Sequence, residues 1–158
     1  MEEKKLKNIS PSKAMSRMAA QCARREYAAF DIEIKLQRYN LDSSTIEEII
    51  AQLKKDKFID ETRFTRSFIK DKLQFNKWGR KKIEYALKQK RIPNNIVNKV
   101  FEEFTDQDLN GALLDIMQAK WKTIKGDTNY ERRTKLIRFA LSRGFDMDNI
   151  MKQIDKIE

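Results

Sequence analysis

The stretch "IEYALKQKRIPNNI", Ile83 to Ile96, decides the fold, because its apolar positions return twice more along the chain. Ile83, Leu87, Ile92 and Ile96 are answered upstream by Ile32, Leu36, Leu41 and Ile46 in "IEIKLQRYNLDSSTI". Downstream they are answered by Ile137, Leu141, Phe145 and Ile150 in "IRFALSRGFDMDNI", one residue shorter between its second and third members. Leu36 and Leu87 are 51 residues apart, and Leu87 and Leu141 are 54 apart, so the period is near 50.

Each copy opens with an apolar pair four residues apart, which share one helical face. A polar break follows, then a second apolar stripe. Asp42-Ser43-Ser44, Pro93-Asn94-Asn95 and Asp146-Met147-Asp148 supply capping oxygens or a fixed backbone angle, so the next helix can start in a new direction. Upstream of each pair lies a third amphipathic segment: Met15, Met18, Ala19 and Cys22; Phe64, Phe68 and Phe75; Leu113, Met117 and Trp121 with Ile124. The expectation is an all-α chain of three tandem three-helix repeats, helix-turn-helix-like, stacked into an elongated, curved molecule. A flexible 1–12 precedes repeats at 13–58, 59–104 and 105–158. Units of about 45 residues are near the lower size at which one core holds alone, so neighbours should share apolar surface. A single bundle whose helices merely share a period is the alternative.

Composition agrees with helix: among 158 residues there are 4 Gly and 2 Pro, and 37% are charged. Catalytic chemistry is scarce. There is no histidine, which removes the commonest general base and metal ligand, and the single cysteine cannot build a zinc site. Cys22 falls in phase with Met15, Met18 and Ala19, as a core residue would. Gly79, Gly111, Gly126 and Gly144 are too scattered for a phosphate-cradling loop. Glu47-Glu48 and Glu102-Glu103 fall on polar helix faces. The expectation is a non-enzymatic protein with no cofactor and no metal. Without a secretory leader, a disulfide or a spanning apolar run, it is expected to be soluble and cytoplasmic.

Charge points to polyanions. Thirty-four basic residues against 24 acidic ones leave a net +10, which favours nucleic acid or a nucleoprotein over a membrane. Between Lys77 and Arg91 seven basic residues face one acidic residue, Glu84. Here Lys81, Tyr85 and Lys88 share the side opposite Ile83 and Leu87, flanked by Lys77, Arg80 and Lys82. Lys135, Phe139 and Arg143 occupy a similar sector in the third copy, with Arg132 beside them. In the first copy Ile34 stands where Tyr85 and Phe139 stand. These aromatics either offer rings to a partner or form the contact between adjacent repeats. Trp78 is expected to pin a turn against the core, and Gly79 to supply backbone freedom. In "FIDETRFTRSFIKDK", Phe58 to Lys72, Asp60 reads as a helix cap, Phe64 and Phe68 as core, and Arg63, Arg66 and Lys70 as one basic stripe that still needs a partner.

The stretches "ARREYAAFDIEIKL" (Ala23 to Leu36) and "FIDETRFTRSFIKDKLQFNKWGRKKIEYALKQKRI" (Phe58 to Ile92) resemble the RecX family of recombination regulators. The likeness rests on Asp60, Glu61, Arg63 and Phe64, and on Gly79, Lys82 and Ile83. The family often has Ser where Ala28 stands, and Gly where Asn40 and Arg91 stand; Gly144 alone keeps that glycine. Asn40 is expected to take the left-handed helix-ending conformation more easily than Arg91. The resemblance implies a protein without catalytic residues. It would act as a monomer on RecA and on RecA filaments bound to single- or double-stranded DNA, restraining filament growth, ATP hydrolysis and strand exchange. A helix-turn-helix regulator of transcription, or a general coat for nucleic acid, are the other classes that a basic helical chain fits.

Overall fold

The structure is a computed structural model that describes residues 7–157. The first repeat comprises α1 (Pro11–Arg24), α2 (Ala29–Leu36) and α3 (Ser43–Lys55). The second comprises α4 (Glu61–Asp71), which runs into a π-helical turn (Lys72–Asn76), then α5 (Arg80–Gln89) and α6 (Asn94–Phe101). A short α7 (Asp106–Asn110) leads into the third, made of α8 (Leu113–Trp121), α9 (Asn129–Ser142) and α10 (Met147–Ile154). No strand longer than the isolated bridge between Lys7 and Tyr39 forms among the described residues.

Helix starts fall where short polar side chains can accept the orphan amides of a first turn. Asp42 accepts from the Thr45 amide at 2.8 Å, Asp60 from Arg63 at 2.9 Å and Asp146 from Asn149 at 2.8 Å. The bonds from Thr45, with one from the Ser44 hydroxyl at 3.0 Å, hold the Asp42 carboxyl below its ordinary range. Ala28 cannot cap α2, but half of the usual reciprocal arrangement survives, because its own amide donates to Asp31 at 3.0 Å.

Three apolar clusters form, one per repeat. Met18, Ile32, Leu36 and Leu53 centre the first; Phe64, Ile69, Ile83, Leu87 and Phe101 the second; Leu113, Met117, Leu136 and Ile150 the third. Ala28, from the first repeat, is buried in the second cluster, so the repeats share surface.

The third copy of the apolar pattern is displaced by one residue from its expected register. Leu136 and Ala140, both fully buried, are the pair that faces the core, while Ile137 is half-buried and Leu141 is 39% exposed. In the second copy Val97 is buried and Ile96 only partly. The core positions are then Ile32, Leu36, Leu41, Ile46; Ile83, Leu87, Ile92, Val97; and Leu136, Ala140, Phe145, Ile150, all at offsets of 4, 5 and 5. The apparent shortening of the third copy disappears. Phe75, expected in the core, is 73% exposed on the π-turn, and Ile69 with the buried Thr65 fills that side of α4.

The first and second repeats each dock through the N-terminus of their second helix onto the helix-to-helix turn of the repeat that follows. Between the second and third repeats the contact is backbone on backbone: the Gly79 amide donates to the Arg143 carbonyl at 2.7 Å and the Lys81 amide to the Gly144 carbonyl at 3.1 Å. A Cβ on Gly79 would sit 2.5 Å from the Gly144 carbonyl carbon and oxygen. Gly79 itself has φ −84° and ψ 169°, open to any residue. Its small size therefore serves this close approach, not the backbone freedom expected of it. Gly144 needs both, with φ +96° and a Cβ site 2.5 Å from the Lys82 amide nitrogen.

Between the first and second repeats the same joint is ionic. Arg63 pairs with Glu26, Lys90 with Asp31, and Arg91 with Glu33 at 3.6 Å, while the Arg91 guanidinium lies 4.8 Å above the Phe30 ring. Arg91, at φ 57°, is left-handed; Asn40 is not, contrary to expectation. The turn holding Asn40 is instead pinned by Lys7, whose carbonyl accepts the Asn40 amide at 3.0 Å and whose amide donates to Arg38 at 3.3 Å. Of the 1–12 stretch expected to be flexible, residues 1–6 lie outside the described residues; Lys7 makes these bonds, Ser10 caps α1 and Pro11 begins it.

Candidate partner-binding surface

Helix α5 sends Ile83 and Leu87 into the core, and its 3.6-residue period turns Lys81, Tyr85 and Lys88 outward. Tyr85 is 66% exposed. It does not form the inter-repeat contact that was the alternative for it, and neither does Ile34, which is 41% exposed. Lys81, Tyr85 and Lys88 line a shallow groove of about 500 Å³ whose other wall is Asn94, Val97 and Asn98 of α6, with Glu84 at its edge. Among the described residues none of the three outward side chains has a hydrogen-bond or ion-pair partner.

Their neighbours are committed elsewhere. Arg80 donates to Glu84 at 2.6 Å and lies 4.4 Å over the Phe101 ring. Lys82 packs its stem against Gly144 and its ammonium 4.6 Å from the Trp78 ring. Trp78 is half-buried on the second core and takes Lys72 on its ring as well, so it pins the turn as expected.

The α4 stripe divides. Arg63 pairs with Glu26 and also donates to the Lys57 carbonyl at 3.0 Å and the Phe58 carbonyl at 3.3 Å, fastening α4 to the first repeat. Arg66 makes a two-pronged pair with Glu103, both bonds 2.7 Å. That pair raises the Arg66 pKa and holds the Glu103 carboxyl below its ordinary range. Two of the three basic residues thus find carboxylates within the chain, and Lys70 is left exposed beside a cleft lined by Leu73, Gln74, Glu103 and Phe104.

In the third repeat Arg132 bonds the Trp121 carbonyl at 3.0 Å and the Ile124 carbonyl at 3.3 Å, and covers the Trp121 ring at 3.8 Å. Lys135 reaches the Lys125 carbonyl at 2.6 Å. The corrected register puts Arg138, not Phe139, at the place of Tyr85. Phe139 turns toward the second repeat, half-buried, with the Lys120 ammonium and the Arg143 guanidinium each 5.1 Å from its ring. Lys77 stands across from them at φ 55°. Lys120 escaped sequence reasoning because its companions lie 43 residues upstream and 23 downstream.

Near the first joint, burial pushes the Cys22 thiol up, helped by Glu26 and opposed by Arg63 and Lys35, so it stays protonated and inert. Burial also raises Glu61, against the pull of Lys54 and of the Ala29 amide. Among the described residues no cluster of His, Cys, Asp and Glu could hold a metal ion, and no helix is long and apolar enough to cross a membrane.

Residues 60–100 match the family profile of the second three-helix domain of RecX, and residues 107–154 that of its third. A regulatory protein RecX of Prosthecochloris aestuarii is 31% identical over 147 residues, covering 92% of this chain and 93% of its own. One from Acinetobacter baylyi is 29% identical, covering 95% and 91%. The crystal structure of RecX from Lactobacillus salivarius superposes with a TM-score of 0.75 at 21% identity, covering 93% of this chain and 96% of that one. Another RecX crystal structure gives 0.83 at 19% identity, covering 92% and 71%. At those identities the superpositions speak for the fold, and the sequence matches carry the family: this chain belongs to the RecX family of regulatory proteins.

Proposed function

We propose that the protein is a non-enzymatic, monomeric, cytoplasmic modulator that binds RecA and RecA filaments on DNA and restrains ATP turnover and strand exchange. Family membership supports the partner. The observation that carries the choice of surface is the unpaired trio Lys81, Tyr85 and Lys88, which remains open while Arg63, Arg66 and Arg132 are satisfied within the chain. An ammonium on either side of a ring suits a polyanionic filament that presents both phosphates and carboxylates. A row of repeats can touch successive protomers, so modest contacts add as avidity.

The test titrates the protein onto its host's recombinase assembled on single-stranded DNA while ATP hydrolysis is followed. Turnover falls as the protein approaches stoichiometric amounts. Reversal of Lys81 and Lys88 to Glu moves the titration to higher concentration without lowering thermal stability. Unchanged turnover at stoichiometric protein would refute the proposal.

A further inference from the structure

The joint between the second and third repeats encloses a feature that the filament reading does not use. A groove of about 390 Å³ runs between the π-turn and the α8–α9 pair. Its floor is apolar, made by Ile116, Ala119 and Phe139, and its rim carries Lys77, Lys120 and Arg143. No carboxylate lines it, whereas three other clefts on this chain each include at least one: Glu103, Glu33 or Glu84. None of the three rim cations has a carboxylate partner among the described residues.

The rim is also built to stay in place. Lys77 holds a left-handed conformation that a lysine adopts at a cost, and it closes a π-turn, a departure from regular helix that concentrates at functional positions. The Trp78 amide ties that turn to the Lys72 carbonyl at 3.1 Å, and the Gly79 bond to the Arg143 carbonyl fixes the far wall. Phe75 stands exposed on the same turn, one residue before Asn76 of the groove wall.

We propose that this groove docks an acidic, extended segment of a partner protein that inserts one apolar side chain onto Ile116 and Ala119, with carboxylates on Arg143, Lys120 and Lys77. Charge complementarity selects the acidic partner, and the fork of Arg143 suits a carboxylate. A nucleic acid strand fits less well. The Phe139 ring on which a base would stack already carries two cations, and the space holds a few side chains but no run of nucleotides.

The probe is a fluorescently labelled Asp-Asp-Phe-Glu-Asp-Glu peptide, titrated with the full chain and followed by anisotropy, without recombinase or DNA. Success or failure here is therefore separate from the ATP-turnover test. The peptide binds, and its neutral counterpart Asn-Asn-Phe-Gln-Asn-Gln does not. Removing two rim charges together, Lys120→Gln with Arg143→Gln, weakens binding about five- to tenfold; both backbones, and so the Gly79 bond, remain. Ala119→Glu, on an exposed position of α8, abolishes binding by filling and recharging the floor. Lys81→Gln with Lys88→Gln, on α5, leaves it unchanged. Equal loss in the α5 variant would mean attraction to net charge alone and would overturn the proposal. Displacement of the peptide by oligothymidylate at equal concentration would reassign the groove to nucleic acid and would overturn it as well.

Discussion

Replacing Gly79 with alanine adds one methyl group at a backbone conformation that alanine adopts freely, φ −84° and ψ 169°. If nothing lay against that position, the substitution would stabilise the protein by about 0.4–1 kcal/mol, by narrowing the unfolded ensemble. The joint between repeats reverses the sign. The added carbon would lie 2.5 Å from the Gly144 carbonyl carbon and oxygen and 2.6 Å from the Phe145 amide nitrogen, all main-chain atoms that cannot swing aside. Relief requires the second and third repeats to separate by about 1 Å, the gap between those distances and ordinary van der Waals contact. Such a shift weakens the Gly79–Arg143 and Lys81–Gly144 hydrogen bonds, each worth about 0.5–1.5 kcal/mol. Strained packing costs about 1–3 kcal/mol more. Set against the entropy gain, the net expectation is a loss of about 1–4 kcal/mol. Urea unfolding followed by tryptophan fluorescence reads it, since Trp78 lies in the second core and Trp121 in the third. The G79A transition should move to lower urea and broaden as the two repeats uncouple. A variant as stable as the parent, or more so, would refute the backbone-on-backbone joint.

The joint between the first and second repeats should respond to salt where the other does not. Glu26→Gln with Asp31→Asn, or molar salt on the parent chain, should speed amide exchange in α2 while exchange around Gly79 and Gly144 stays unchanged. Acid should act through Glu103. Its carboxyl is held below the ordinary 4.5 by Arg66, so this pair stabilises the fold above that value and the contribution is lost as pH falls through the lower, folded pKa. Glu103→Gln should therefore flatten the fall in melting temperature below about pH 4.5. Equal slopes in the two proteins would show that the pair adds nothing.

How much of this the sequence disclosed varies with the range of the interaction. Helix existence, caps at Asp42, Asp60 and Asp146, and the period of the repeat are local properties, written within a few residues. The register slip in the third copy has a local cause too. Leu136 and Ile137 are both apolar neighbours, and large Leu141 outweighs small Ala140 on any hydropathy count. Only packing, which needs a small side chain at 140, distinguishes them. The site was read less well because the partners of its cations are remote. Arg63 and Glu26 are 37 residues apart, as are Arg66 and Glu103, and Lys90 and Asp31 are 59 apart. A basic stripe on one helix cannot disclose whether acids on another will meet it. Gly79 and Gly144, 65 residues apart in sequence, are explained only together.

The two joints are the same contact made with different chemistry, and the difference orders the molecule's motions. Lys90 and Arg143 occupy corresponding turns, and so do Arg91 and Gly144; Asp31 and Lys82 occupy corresponding first turns. Where Asp31 faces Lys90, attraction across a partly buried gap can close the joint. At the second joint Lys82 and Arg143 hold those two places, and a side-chain pair there would bring two cations together, so each turns to a ring instead, Lys82 to Trp78 and Arg143 to Phe139. The third repeat is held instead by shedding side-chain bulk: glycine on both faces lets main-chain donors and acceptors meet directly. Such bonds tolerate little displacement, whereas partly exposed ion pairs weaken gradually with distance and salt. The second and third repeats, with Lys81, Tyr85 and Lys88 on one face, should therefore move as one body. The first repeat meets that body through ion pairs around the buried Ala28, so salt or a partner that competes for Glu26, Asp31 or Glu33 should loosen this joint before the other, without touching the α5 surface.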